Sequence, residues 1–162
     1  MANTAFNRLE LHGAPETLRL FVKENVIEMP VFKTDYIDGK WVTKETGTTI
    51  AFSFSGVMPL TELWSTSRDA SQSFVDETDI DKGNLTVSFD TAWAANEPWL
   101  YEVAKRYPTL TFEHYVGEPN MDFHHEYHGK DGDVTLFHSC DFREKAEFWG
   151  CEYLYEDEEV TA

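Results

Sequence analysis

Apolar residues alternate with polar ones through residues 6–12, where Leu9 and Leu11 fall between Arg8, Glu10 and His12. A period of two predicts a strand with its leucines inward. Gly13 ends it, and Pro15 opens a helix at a position where a missing N–H costs nothing. Leu18, Phe21 and Val22 then recur at helical spacing and predict a helix over Pro15–Asn25. Residues 28–48 lose that period. Within them Asp38-Gly39 stands between Tyr36-Ile37 and Trp41-Val42, a tight-hairpin signature. The apolar run at residues 50–54 predicts a second core strand, closed by Gly56 and Pro59. Residues 60–75 leave room for a short helix carrying Leu60, Leu63 and Trp64, and residues 76–81 read as an acidic surface loop. Alternation returns at residues 84–93, with Leu85, Val87 and Phe89 on one side. Pro98 starts a second helix bearing Trp99, Leu100, Val103, Ala104 and Tyr107, which Pro108 stops. Residues 110–116 form a further strand. Residues 123–128 and 134–139 pair as a hairpin across 129–132, and a short helix follows at 143–149.

This order is strand–helix–strand twice over, plus a terminal hairpin, which is the ferredoxin-like split βαβ arrangement. The expected fold is therefore α+β. It has an antiparallel sheet with two helices on one face, an inserted segment at about 28–48, and a C-terminal hairpin. Residues 1–155 make one domain and residues 156–162 an acidic tail. The expected core holds Leu9, Leu11, Phe21, Phe52, Phe54, Val87, Phe89, Leu100, Val103, Leu110 and Phe112. The sheet's second face needs a cover or a partner.

Composition adds a strong electrostatic constraint. The chain has 162 residues with 30 acidic and 13 basic side chains, a formal charge of −17. Such a surface repels phosphate backbones and attracts basic partners. Hydrophobic residues at 41% and aromatics at 15% supply a core. No apolar run reaches the roughly 18 residues a membrane span needs, and the first residues lack a signal peptide's basic and apolar regions. The expected location is a cytoplasm. Cys140 and Cys151 match neither a zinc pattern nor a disulfide framework. Both read as reduced, with Cys140 expected in the core.

Candidate chemistry is sparse. His124, His125 and His128 flank Glu126, and His138 lies on the pairing strand. Strand rise separates His124 from His128 by about 13 Å, too far for one ion, so these read as surface histidines and no metal or other cofactor is expected. No nucleophile elbow or phosphate-binding glycine loop is present, and an enzyme is not expected. Phe89, Phe112 and Tyr115 offer rings for base stacking, but the basic surround that RNA binding requires is missing.

The run Ser88-Phe89-Asp90-Thr91-Ala92-Trp93, then Pro98 and residues 107–114, resembles the YubB-type ferredoxin-like proteins of phages, prophages and conjugative plasmids. Residues 7–13 and 50–59 fit the same pattern. The resemblance implies residence in a mobile element and action inside a bacterial host. It carries no site residues. From the residues themselves, Asp90 and Thr91 are expected to tie down backbone at the strand end, and Trp93 to cover the end of the core.

Together these features lead to one functional expectation. A non-enzymatic accessory protein would bind and inhibit a basic, nucleic-acid-handling host defence protein, such as a CRISPR effector or a restriction enzyme, as an acidic mimic of DNA. Its partner-binding residues would be Asp76, Glu77, Asp79 and Asp81 in the loop, with Glu144, Glu147, Trp149, Glu152, Tyr153, Tyr155, Glu156, Asp157 and Glu158 near the C-terminus. The alternatives are an assembly module of a mobile element without a defence target, and a small metal enzyme using the hairpin histidines.

Overall fold

The computed structural model describes residues 3–59 and 71–155. The chain runs β1 (Thr4–His12), α1 (Pro15–Asn25), β2 (Val26–Ile37), β3 (Lys40–Phe52), β4 (Ser71–Asp76), β5 (Asn84–Ala92), α2 (Glu97–Arg106), β6 (Thr111–Glu118), β7 (Phe123–Lys130), β8 (Asp133–Cys140) and a single turn of helix, α3 (Ala146–Trp149). Among the described residues, six strands form an antiparallel sheet in the order β4-β5-β1-β6-β7-β8, while β2 and β3 pair with each other as a separate two-stranded sheet. The first four strands of that order, with α1 and α2, make the ferredoxin-like unit. The hairpin β7–β8 extends it.

All eleven residues expected in the core are buried. The reason is register. Leu9 lies opposite Val87 on one side and His114 on the other, and Leu11 opposite Leu85 and Phe112. One face of β1, β5 and β6 is thus apolar, and it meets Leu18 and Phe21 of α1 and Trp99, Leu100 and Val103 of α2. Phe52 stacks on Phe89 at 5.0 Å, and Phe54 meets Trp99 at 4.9 Å. Glu24 accepts two hydrogen bonds of 3.0 Å from Arg106 and one from the Tyr107 hydroxyl, which ties the C-terminal ends of the two helices together.

Several expectations are corrected. Residues 50–52 are not a strand of the main sheet. They end β3 of the separate ribbon, although Phe52 and Phe54 still reach the core. The second strand of the ferredoxin-like unit is β4, where a short helix was expected and where polar residues hide the strand pattern. Leu60, Leu63 and Trp64 lie outside the described residues. Asp76 ends β4 rather than opening a loop. The hairpin turn is Asp131-Gly132, both at positive φ, and Gly129 and Lys130 belong to β7. Trp93 has φ of 72° and is 42% exposed, so it does not cover the core. Phe89 and Phe112 point inward and offer no rings to a nucleic acid. Cys151 is the buried cysteine and Cys140 is half-buried; both are free.

Among the described residues, the sheet's second face is covered at one end only. After β8 the chain turns back, and Phe142, Phe148 and Trp149 pack on Phe6, Tyr115 and His124. Gly117 permits this approach, because a Cβ there would lie 2.7 Å from Trp149 Nε1 and 2.8 Å from Phe142. Among the described residues no helix is long and apolar enough to cross a membrane.

Candidate functional site

Two surfaces remain for function. The first is the ribbon. The sequence 26–52 forms it because Asp38-Gly39, both at positive φ, makes a two-residue turn whose twist suits the flanking strands. Twelve paired residues reach about 40 Å. Pro30 is tolerated because neither strand has a second neighbour that would need its N–H. Beyond the irregularity at Val31/Phe32, the register puts Phe32, Thr34, Thr43, Tyr36 and Trp41 on one face. Lys33, Lys40, Lys44 and Asp35 occupy the other. Phe32 is 59% exposed, Tyr36 62% and Trp41 73%, with the Tyr36 and Trp41 rings 5.0 Å apart. An isolated two-stranded hairpin is marginal in water, and contiguous exposed aromatics mark interaction surfaces.

The second surface is the uncovered end of the sheet. Rows of side chains cross it in register. Glu10 lies opposite Glu113, and Glu113 opposite His128; His12 lies opposite Thr111 and Asn84. A cleft of about 140 Å³ opens here, lined by His12, Thr111, Glu113, His128, Gly129 and Lys130. Among the described residues, Glu10, His12 and Glu113 are the one group of three whose donor atoms all lie within 4.8 Å of one another. Glu10 also pairs with Arg8 at 2.6 Å, Glu113 accepts from the Tyr115 hydroxyl at 2.9 Å, and His128 meets Glu126 at 2.7 Å. The Tyr115 hydroxyl is pushed well above its usual range by burial, then by its bond to Glu113.

The expected partner-binding residues divide into two groups at opposite ends of the sheet. The 76–81 stretch adjoins the His12 end, through the pairing of His12 with Asn84. The C-terminal segment covers the Phe6 end. Three of the four loop carboxylates are engaged, Asp76 with Thr78, Asp79 with Lys82 and Asp81 with Arg19 of α1, and Glu77 is exposed. Hydrogen bonds from Thr78 lower the Asp76 pKa. At the C-terminal end Glu144, Glu147, Glu152 and Tyr153 are exposed. Trp149 is half-buried and donates to His124 Nδ1 at 3.1 Å, and Tyr155 is half-buried under Arg143. Glu156, Asp157 and Glu158 lie outside the described residues.

The hairpin histidines do not act as a group. His124 is buried, against the expectation of a surface imidazole, and burial lowers its pKa to about 4. His125 sits on the helix side of the sheet with Tyr127, His128 stacks on Phe137, and His138 is exposed. The Glu10-x-His12 spacing, which puts two donors on one strand face, was the signal available for the cluster that does form.

Comparison with known families matches residues 72–160 to the family described as the ferredoxin-like domain in Api92-like protein. The chain belongs to that family. The Api92-like match runs from β4 through α3, and so it includes β5 to β8 of the open sheet face but neither β1, which carries Glu10 and His12, nor the ribbon. Among solved structures, the crystal structure of protein api92 from Yersinia pseudotuberculosis is similar in fold, with a TM-score of 0.53 at 10% identity. That similarity covers 87% of this chain and 98% of the Yersinia one. No curated protein matches.

Proposed function

We propose that this Api92-like protein is a non-enzymatic accessory protein of a phage or plasmid, which binds and inhibits a basic, nucleic-acid-handling host defence protein. The observation that carries the reading is the aromatic face of Phe32, Tyr36 and Trp41, exposed on a projecting ribbon of a chain with a formal charge of −17. Large aromatic side chains in a desolvated patch supply most of the binding energy of protein interfaces. The acidic body adds attraction to a basic cleft and raises the encounter rate. The finer placement among YubB-type proteins of mobile elements belongs to this proposal and rests on residues 88–93. A restriction enzyme or CRISPR effector has the required basic, duplex-binding surface.

The test is phage protection in a restricting or CRISPR-armed host, paired with competition against duplex DNA for the purified effector. The expected result is protection by the wild-type chain. Trp41→Ala should lose it through faster dissociation. Joint reversal of Glu152, Glu156, Asp157 and Glu158 to Lys should slow association about tenfold or more, and most strongly at low salt. Full protection by both folded variants would defeat the reading. The ribbon's two free edges favour one competitor, a homo-oligomeric assembly module. An oligomer in sedimentation experiments that Trp41→Ala dissolves, without any effector binding, would select it.

A further inference from the structure

The cluster on the open sheet face is not needed for partner binding, and its chemistry points elsewhere. Glu10 and Glu113 face each other directly across β1 and β6. Like charges so placed repel and destabilise a sheet. Arg8 offsets part of this at Glu10. Beside the two carboxylates stands an imidazole held in one orientation, with His12 Nδ1 lying 2.8 Å from Asn84 Oδ1. Asn84 Nδ2 reaches the Lys82 carbonyl at 3.5 Å, which leaves its oxygen for the ring. Nδ1–H therefore donates, and Nε2 carries the lone pair. This is how proteins prepare a metal-binding histidine: a hydrogen bond at one nitrogen fixes the tautomer and directs the other. The cleft beside His12 and Glu113 leaves room for an ion with bound water, and the next side chain in the row, His128, borders it.

We propose that Glu10, His12 and Glu113 bind a divalent transition-metal ion of the zinc class, with His128 at the border of the site. Two carboxylates and one or two imidazoles suit Zn²⁺, which accepts both nitrogen and oxygen donors, better than Ca²⁺ or Mg²⁺, which take oxygen alone. The ion relieves the repulsion between Glu10 and Glu113. Arg8 and Lys130 are the nearby cations, and they weaken the site without filling it. The hairpin histidines His124, His125 and His138 take no part.

The test is calorimetric titration of the metal-free full chain with Zn²⁺ alone, with Co²⁺ absorption as a second readout of the donor geometry. One saturable equivalent is expected. His12→Ala and Glu113→Gln should each abolish saturable binding. Asn84→Ala, which removes the partner of His12 Nδ1 and the 3.5 Å bond to the Lys82 carbonyl but no ligand atom, should weaken it about tenfold. His138→Ala should leave it unchanged. Thermal melts of the metal-free variants separate loss of a ligand from loss of fold, and the volume-conserving Glu113→Gln keeps the test valid if His12→Ala unfolds. The proposal fails if no saturable binding occurs. It fails equally if binding survives Glu113→Gln in a folded chain, or if His138→Ala removes it.

Discussion

Phe89 shows how much a single position can be read from pattern. Its alternation with Ser88 and Asp90 places it inward, and it packs against Phe52, Phe54, Trp99 and His114. Phe89→Ala is expected to cost about 3 to 5 kcal/mol in chemical denaturation. A loss below about 1 kcal/mol would contradict that packing. His114 follows the same alternation, yet nothing local says how a core accepts an imidazole. Its Nε2 donates to Asn7 Oδ1 at 3.0 Å, and Asn7 Nδ2 donates in turn to Thr91 Oγ1 at 2.8 Å. The Thr91 hydroxyl donates a hydrogen bond in turn to the Ala94 carbonyl at 2.9 Å. Burial lowers the His114 pKa to about 3, against roughly 6.5 unfolded. As pH falls from 7 toward 3, the unfolded chain takes up the proton and the folded chain does not, so stability falls across that window. His114→Gln should shrink the stability lost between about pH 7 and pH 5 by about 2 kcal/mol. An unchanged pH profile in that variant would show that other groups set the acid sensitivity.

At the scale of elements, the ribbon is an addition to the fold rather than part of its support. Its exposed side chains contribute little burial, while Phe52 at its base and Phe54 just beyond it anchor the core. Replacing residues 31–47 with Asn-Gly joins Pro30 to Thr48, which already pair. The shortened chain is expected to keep a cooperative thermal transition within about 5 °C of wild type. A molten transition would show that the ribbon supports the core. The turn Asp131-Gly132 works differently, because it sets the register of β7 against β8. Gly132 has φ of 82°, and a Cβ there would make only ordinary contacts, 3.8 Å from the Ala104 carbonyl oxygen and 3.9 Å from Pro108 Cβ, so Gly132→Ala should cost about 1 kcal/mol, chiefly through backbone strain. The Asp38-Gly39 turn was legible, since Asp-Gly is a local signal, whereas the second turn was read as residues 129–132 and is the narrower Asp131-Gly132. The partner of β5 was not, because Ser71-Gln72-Ser73 offers no apolar alternation and gains its place only from the edge that β5 leaves open.

For the whole molecule, the decisive quantity is charge. With 30 acidic and 13 basic residues, the folded chain concentrates like charge that the unfolded chain spreads out. Raising NaCl from about 20 to about 300 mM should therefore move the denaturation midpoint upward, as the Debye length shortens. A downward shift would mean that pairs such as Glu24–Arg106 outweigh the repulsion. The structure also distributes the charge. The carboxylates of residues 76–81 lie at one end of the sheet, bound to Thr78, Lys82 and Arg19, and the C-terminal group lies at the other. One continuous phosphate-like row is therefore not what the described residues present.

Local pattern determined the ferredoxin-like order, the inward residues, the Asp38-Gly39 turn, the presence of a second hairpin and the acidic balance, because periodicity, turn chemistry and charge are properties of neighbouring residues. Only the tertiary structure decided the rest. It pairs β2 with β3 instead of the main sheet, fills the edge with β4, buries His124 beneath Trp149, and aligns Glu10, His12 and Glu113 across strands about a hundred residues apart in the chain. Those outcomes depend on which strands become neighbours, and strand neighbours are chosen by the burial of whole faces rather than by any short stretch of sequence.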